Sequence, residues 1–166
     1  KTSRALRRMV EKFHRCPDTQ ILLLAYTNRA VDEICSSISA ISPEIDYIRI
    51  GSELSCDERY REHLVENELA ALERRKDVRS RLSACRVYVG TVASVSSRTE
   101  LFKLKHFDVA IIDEASQIIE SQLLWILTAK TPEGKNAVDK FILIGDHKQL
   151  PAVVLQSEEE SAVFDE

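Results

Sequence analysis

Hydrophobic positions along the chain follow two alternating periods. Apolar residues recur at helical spacing from about Ser3 to His14, and again after Thr27-Asn28. Short continuous apolar runs, too brief for buried helices, predict strands. These predicted strands are Ile21–Ala25, Tyr47–Ile50, Val87–Val89, Val109–Ile112 and Phe141–Ile144. A later helical pattern predicts a helix from about Ser116 to Thr128.

The repeated order of strand, loop and helix indicates the fold class. Such a succession is typical of right-handed βαβ crossovers, which place parallel strands side by side and helices on both faces. The length of 166 residues fits one ordinary domain. We therefore predict an α/β fold with a mostly parallel sheet.

Residues 56–82 interrupt this rhythm, because they are strongly charged and sparsely apolar. Acidic residues dominate the first part and basic residues the second, which matches the helix macrodipole. One long helix or a helical pair projecting from the sheet is predicted. Its charges are interpreted either as a solvated surface or as a basic end that contacts nucleic-acid phosphates.

Composition and charge narrow the functional classes. The net charge of −4 and the pI of about 5.7 argue against a dedicated nucleic-acid module, so any such contact must be local. The apolar runs fall far short of the roughly 20 residues that a membrane span needs, which predicts no membrane association. No secretory signal is recognisable. The four cysteines lack metal-site spacing and are interpreted as buried, reduced thiols of a cytoplasmic protein.

Polar residues follow several predicted strands and carry the candidate chemistry. In open α/β sheets, ligands bind beyond the carboxyl ends of the strands. The run VAIIDEASQ ends an apolar strand in Asp113-Glu114. Asp113 could hold Mg²⁺ through its water shell, and Glu114 could deprotonate an attacking water. The alternative is a chance pair of surface acids.

The chain starts with Lys1-Thr2, followed at once by a helix. These are the last two letters of the G-x-x-x-x-G-K-[ST] phosphate loop, in which Lys reaches the β- and γ-phosphates and Thr ligates Mg²⁺. Alone, the two residues carry almost no information. The four glycines of the chain are also fewer than the roughly twelve that average usage would give.

Taken in order, the motifs resemble a known family. Lys1-Thr2, LLLAYTNRAVDEI, VGTVASV, VAIIDEASQ and LIGDHKQLPAVV look like the superfamily 1 DNA and RNA helicases. The resemblance is to the 5′→3′ branch, which includes the nonsense-mediated-decay helicases and the Okazaki-fragment nuclease-helicases. It covers most of the chain except residues 41–85, and GDHKQLP is its most specific motif.

The resemblance implies a nucleotide site for ATP and Mg²⁺. Lys1 and Thr2 would end motif I, where both serve the phosphates and Thr2 ligates Mg²⁺. Asp113 and Glu114 would form motif II, as metal ligand and catalytic base. Motif III would consist of Gly145, Asp146 and Gln149. Within it, Gln149 would sense the γ-phosphate.

The resemblance also implies contacts with single-stranded DNA or RNA. Thr27, Asn28 and Asp32 fall in motif Ia, whose loop contacts the strand backbone in such helicases. Thr91 lies in the next loop on the same face. The alternatives are a plain N-cap for Thr27-Asn28 and a strand-terminating threonine for Thr91.

Residues 1–166 would be part of the first RecA-like domain, 1A, starting within the Walker A loop. Residues 56–82 would be its helical insertion, an accessory subdomain. The phosphate-cradling glycines would precede Lys1, and a second RecA-like domain would follow as a partner. We expect the chain alone to hydrolyse little ATP.

Three functions are compatible with the sequence. The first is the ATP-binding core of a helicase or translocase that moves on single-stranded DNA or RNA, in the cytoplasm or in a eukaryotic nucleus. The second is a non-catalytic interaction module with a vestigial helicase-like site. The third is a P-loop ATPase that does not act on nucleic acid. Every charged and amide residue type that the chemistry requires is present, which favours the first function over the second. The motif GDHKQLP favours the first function over the third.

Overall fold

A computed structural model describes residues 2–146 of the chain, with the side chains from Arg4 onward. Five strands form one sheet in the order β2-β3-β1-β4-β5, and every neighbouring pair is parallel. Their bounds are β1 Ile21–Ala25, β2 Tyr47–Ile50, β3 Val87–Thr91, β4 Phe107–Ile112 and β5 Val138–Leu143. The predicted α/β fold with a parallel sheet is confirmed.

Helices cover both faces of the sheet. They are α1 Thr2–His14, α2 Asn28–Ser39, α3 Val65–Ala70, α4 Arg75–Ala84, α5 Val92–Ser96, α6 Leu101–Leu104 and α7 Glu120–Leu127. Alternate side chains of β1 enter two separate cores, because successive residues of a strand point to opposite faces. Ile21 and Leu23 pack with α1 and α2, whereas Leu22 and Leu24 pack with α5, α6 and α7.

The charged segment is not one long helix. Residues 56–82 contain the 3₁₀ helix Glu58–His63, then α3 and most of α4, and a further 3₁₀ helix, Glu53–Ser55, precedes them. Extended backbone at Leu64 and at Arg74 separates these pieces. The helical pair that was predicted as the other possibility is present as α3 and α4, although each helix is short.

The same segment does not project from the sheet as predicted. Tyr60 and Leu64 are buried in the core beneath α1 and α2, and Leu64 forms a parallel bridge with Arg49 of β2. The His63 ring stacks on Tyr47, with ring centroids 3.9 Å apart. The few apolar residues of the segment therefore bind it to the edge of the sheet.

Three further predictions need correction. The helix predicted from Ser116 starts at Glu120, because Ala115–Gln117 form a 3₁₀ turn and Ile118 runs extended into the core. The last strand, β5, starts and ends earlier than the predicted Phe141–Ile144. Cys16 is exposed in the turn after α1, whereas the other three cysteines are buried as expected. Within residues 2–146, no helix is long and apolar enough to cross a membrane.

Candidate functional site

The loops at the carboxyl ends of four adjacent strands bring most of the predicted site residues to one edge of the sheet. Along this edge, Thr91 ends β3, Thr27-Asn28 follow β1, Asp113-Glu114 follow β4 and Gly145-Asp146 follow β5. Thr2 is the first residue of α1. Lys1 and Gln149 lie outside the described residues, as do His147 and Lys148.

Backbone hydrogen bonds hold the Asp113-Glu114 loop between its neighbouring strands. The Asp113 N–H donates to the Leu24 carbonyl at 2.8 Å, and the Ala115 N–H donates to the Ile144 carbonyl at 2.9 Å. The Asp113 carboxylate also accepts the Glu114 N–H at 2.9 Å. Glu114 has a φ of 54°, the single positive φ at a non-glycine residue in the described part. Such a conformation persists only where surrounding bonds enforce it.

The surroundings of this loop disfavour the charged form of both carboxyl groups. Burial raises the pKa of Asp113; the Glu114 N–H offsets this in part, and the charge of Glu33 adds to it. Burial also raises the pKa of Glu114, together with the charges of Asp113 and Glu33, whereas the Thr27 hydroxyl and Arg29 lower it. Like charges at one site favour protonation or a bound cation.

The donor set fits Mg²⁺. The Glu114 Oε2 atom is buried and has no hydrogen-bond partner within residues 2–146. Mg²⁺ prefers oxygen ligands and keeps part of its water shell. A hydrated cation at Asp113 would therefore offset the repulsion between the two carboxylates and offer water protons to the unsatisfied oxygen.

Gly145 allows the loop after β5 to approach the loop after β4. A Cβ atom built on Gly145 would lie 2.9 Å from the backbone nitrogen of Ser116 and 3.3 Å from its Cβ. Contacts this short with backbone do not occur without a shift. The glycine therefore keeps the two predicted nucleotide loops in contact.

The amino end of α2 lies between two parts of the site. Thr27 is its N-cap, and the Thr27 Oγ1 accepts the Ala30 N–H at 3.1 Å. The same hydroxyl affects the pKa of Glu114, so it lies beside the predicted base. Asn28, the next residue, lines a cavity. Thr27 thus has the capping role that the sequence offered as the alternative.

That cavity, which we call the polar groove, has a volume of about 580 Å³. It lies between α2, the segment after β2, α3 and the segment from Thr91 to Arg98. The lining residues that matter below are Asn28, Glu53, Glu66, Thr91, Ser94 and Arg98. Two of the residues predicted to contact nucleic acid, Asn28 and Thr91, therefore share one groove.

Thr91, besides lining the groove, caps a helix. It is 7% exposed, and its Oγ1 accepts the Ser94 N–H at 3.0 Å. The Ser94 hydroxyl accepts the Thr91 N–H in return, which completes a capping box for α5. The capping alternative therefore holds for Thr91, and only its small exposed part is available to a ligand.

Asp32 has a role that the motif comparison did not reveal. Its carboxylate forms an ion pair with Arg49, which is 1% exposed, and accepts the Asp57 N–H at 3.4 Å. The pair joins α2 to β2 and to the start of the charged segment. The sequence held one indication of this ion pair. Arg49 lies within the apolar strand Tyr47–Ile50, and a buried charge needs a partner.

Comparison with known proteins identifies a family and several relatives. Residues 64–157, more than half of the chain, match the family described as AAA domain. The DNA replication ATP-dependent helicase/nuclease JHS1 of Arabidopsis thaliana is 33% identical over 142 residues, which cover 84% of this chain and 10% of the relative. The Gallus gallus DNA replication ATP-dependent helicase/nuclease DNA2 is 30% identical over 142 residues, covering 83% and 13%.

Among solved structures, the Hef helicase domain of Pyrococcus furiosus matches with a TM-score of 0.56 at 12% identity. The match covers 98% of this chain and 28% of that one, and it concerns the fold alone. It confirms the RecA-like α/β fold, and the sequence relatives confirm the resemblance to helicases. The chain spans only about a tenth of the length of these curated relatives.

Proposed function

Because the chain belongs to the AAA domain family, we propose that it forms the ATP-binding core of a helicase or translocase acting on single-stranded nucleic acid. One observation carries this proposal. The amino end of α2 lies between the carboxylate pair Asp113-Glu114 and the polar groove. Two consecutive residues lie at the two sites, because Thr27 is beside Glu114 and Asn28 lines the groove. Nucleotide state and strand occupancy can thus act on the same helix.

The nucleotide site follows from the loops at the sheet edge. Asp113 would hold hydrated Mg²⁺, and Lys1 and Thr2 would bind the phosphates, with Thr2 as a metal ligand. Glu114 would orient and deprotonate the attacking water, the role of a general base. Gly145 and Asp146 would place the loop after β5 at the nucleotide, where Gln149 would sense the γ-phosphate.

The strand binds in the polar groove, where hydroxyl and amide groups surround it. Such groups, together with backbone N–H groups at a helix amino end, make a large share of the contacts to phosphate and sugar. Both relatives are DNA replication helicase/nucleases, which favours DNA over RNA. A DNA-replication role would place the protein in the nucleus of a eukaryote or the cytoplasm of a bacterium. A second RecA-like domain would close the ATP site from the other side.

Strand binding tests the groove directly. Replacing Asn28 with Ala in the full-length protein should weaken binding of a fluorescent oligothymidylate by about 3- to 10-fold, the loss of one hydrogen bond of roughly 1 kcal/mol. Fluorescence anisotropy measures this affinity.

Gln20→Ala, a part-buried amide variant at the opposite end of β1, is the matched control and should leave strand affinity unchanged. An unchanged affinity for the Asn28 variant would remove this groove from the strand path. Loss of affinity in both variants would show that the effect is not local to the groove.

A further inference from the structure

The acidic side chains of the polar groove are both engaged by arginines. Glu66 of α3 forms an ion pair with Arg98, and Glu53 lies 3.7 Å from Arg61. Among the groove's lining residues within the described part of the chain, Arg98 is the one base. It follows α5, so the Glu66–Arg98 pair joins the charged segment to the body of the domain at the groove.

This pair is well placed to exchange partners. The side chains of Arg98 and Glu66 are 42% and 54% exposed. Exposed ion pairs of this kind contribute only about 0–1 kcal/mol, because water screens them and the side chains lose freedom. A guanidinium binds phosphate through two parallel N–H groups, as it does carboxylate. A phosphodiester entering the groove can therefore displace the carboxylate at little cost.

We infer that Arg98 is a phosphate-binding residue of the polar groove and that Glu66 occupies it when no strand is bound. This inference rests on the proposed function, since it requires a strand in the groove. Binding then exchanges one ionic partner of Arg98 for another and releases Glu66 of α3. The charged segment loses one of its ties to the domain at the moment the strand enters.

The exchange explains how an acidic groove can accept a polyanion. Without it, Glu66 would repel each phosphate that approached Arg98. With Glu66 displaced, the groove presents a free guanidinium beside the hydroxyls of Ser94 and Thr91 and the amide of Asn28.

A double-mutant cycle in the full-length protein tests the inference, with affinity for fluorescent oligothymidylate measured across a salt series. Glu66→Gln should tighten binding about 2- to 5-fold, which corresponds to the free energy of the exposed ion pair that no longer has to be broken. Arg98→Ala should weaken it about 10-fold, and should lower the slope of log K against log salt by about 0.7, the value for one phosphate contact on a single strand.

The double variant separates exchange from simple charge removal. If Glu66 acts by occupying Arg98, Glu66→Gln should have little effect once Arg98 is alanine. Arg98→Lys keeps the charge and should retain the salt slope, which guards against misfolding as the cause of the alanine effect. The matched control is the exposed pair Glu11–Arg15 at the far end of α1, whose variants should change neither quantity.

Two results would overturn the inference. One is an equal gain from Glu66→Gln with and without Arg98. The other is an unchanged salt slope in Arg98→Ala, which would make the pair a structural contact only. Failure of the unmodified protein to bind any strand would refute the proposed function instead, so the two failures are distinguishable.

Discussion

Replacing Glu114 with Gln in the full-length protein is expected to lower the rate of ATP hydrolysis by about 10²- to 10⁴-fold, the usual contribution of a general base. Glutamine preserves the size of the side chain and one acceptor oxygen but cannot accept the proton of the attacking water. The variant should still bind ATP, because binding depends on the phosphate loop and on the metal at Asp113. Steady-state hydrolysis and titration with a fluorescent ATP analogue measure the two quantities.

The control for this variant is Glu120→Gln, which removes an exposed carboxylate from the first turn of α7. Its turnover should match that of the unmodified protein. Turnover within a few-fold of normal in Glu114→Gln would exclude Glu114 as the base. Loss of both turnover and ATP binding would indicate damage to the left-handed loop conformation rather than to the chemistry.

The second large effect concerns stability. Asp32→Ala should destabilise the region around β2 by about 3–5 kcal/mol, because the guanidinium of Arg49 would remain buried without its ionic partner. The Asp57 N–H would lose its acceptor as well. Amide hydrogen exchange of β2 and α2 in the full-length protein measures this loss as faster exchange.

Two comparisons make this result specific. Glu11→Ala breaks an exposed ion pair with Arg15 and should cost no more than about 1 kcal/mol. Combining Asp32→Ala with Arg49→Met should recover much of the loss, since no unpaired charge remains. Equal effects of the exposed and buried substitutions would mean that the Asp32–Arg49 pair does not hold the charged segment in place.

The sheet was predictable from sequence because its strands are short apolar runs. β1 and β2 were predicted with their observed bounds, since each apolar run is short and Gly51 closes the second. The grouping of Asp113-Glu114 with Thr27-Asn28 and Gly145 also followed, because the carboxyl ends of neighbouring parallel strands meet at one edge. The chemistry assigned to those residues stays a prediction.

Tertiary contacts explain what the sequence did not reveal. The charged segment looked like a projecting helix because its apolar residues are few, yet Tyr60 and Leu64 are enough to bind it to β2. Partners such as Asp32–Arg49 and Glu66–Arg98 lie 17 and 32 residues apart, so no local spacing identifies them. The start of α7 shifted because burying Ile118 requires an extended backbone there.

The most direct test of the central claim is the rate of ATP hydrolysis by the full-length protein in the presence of Mg²⁺, measured with and without single-stranded DNA or RNA. A helicase core whose nucleotide loop and strand groove share the amino end of α2 should hydrolyse ATP severalfold faster when a strand is bound. A folded protein that hydrolyses no ATP, or whose hydrolysis does not respond to either nucleic acid, would contradict the account.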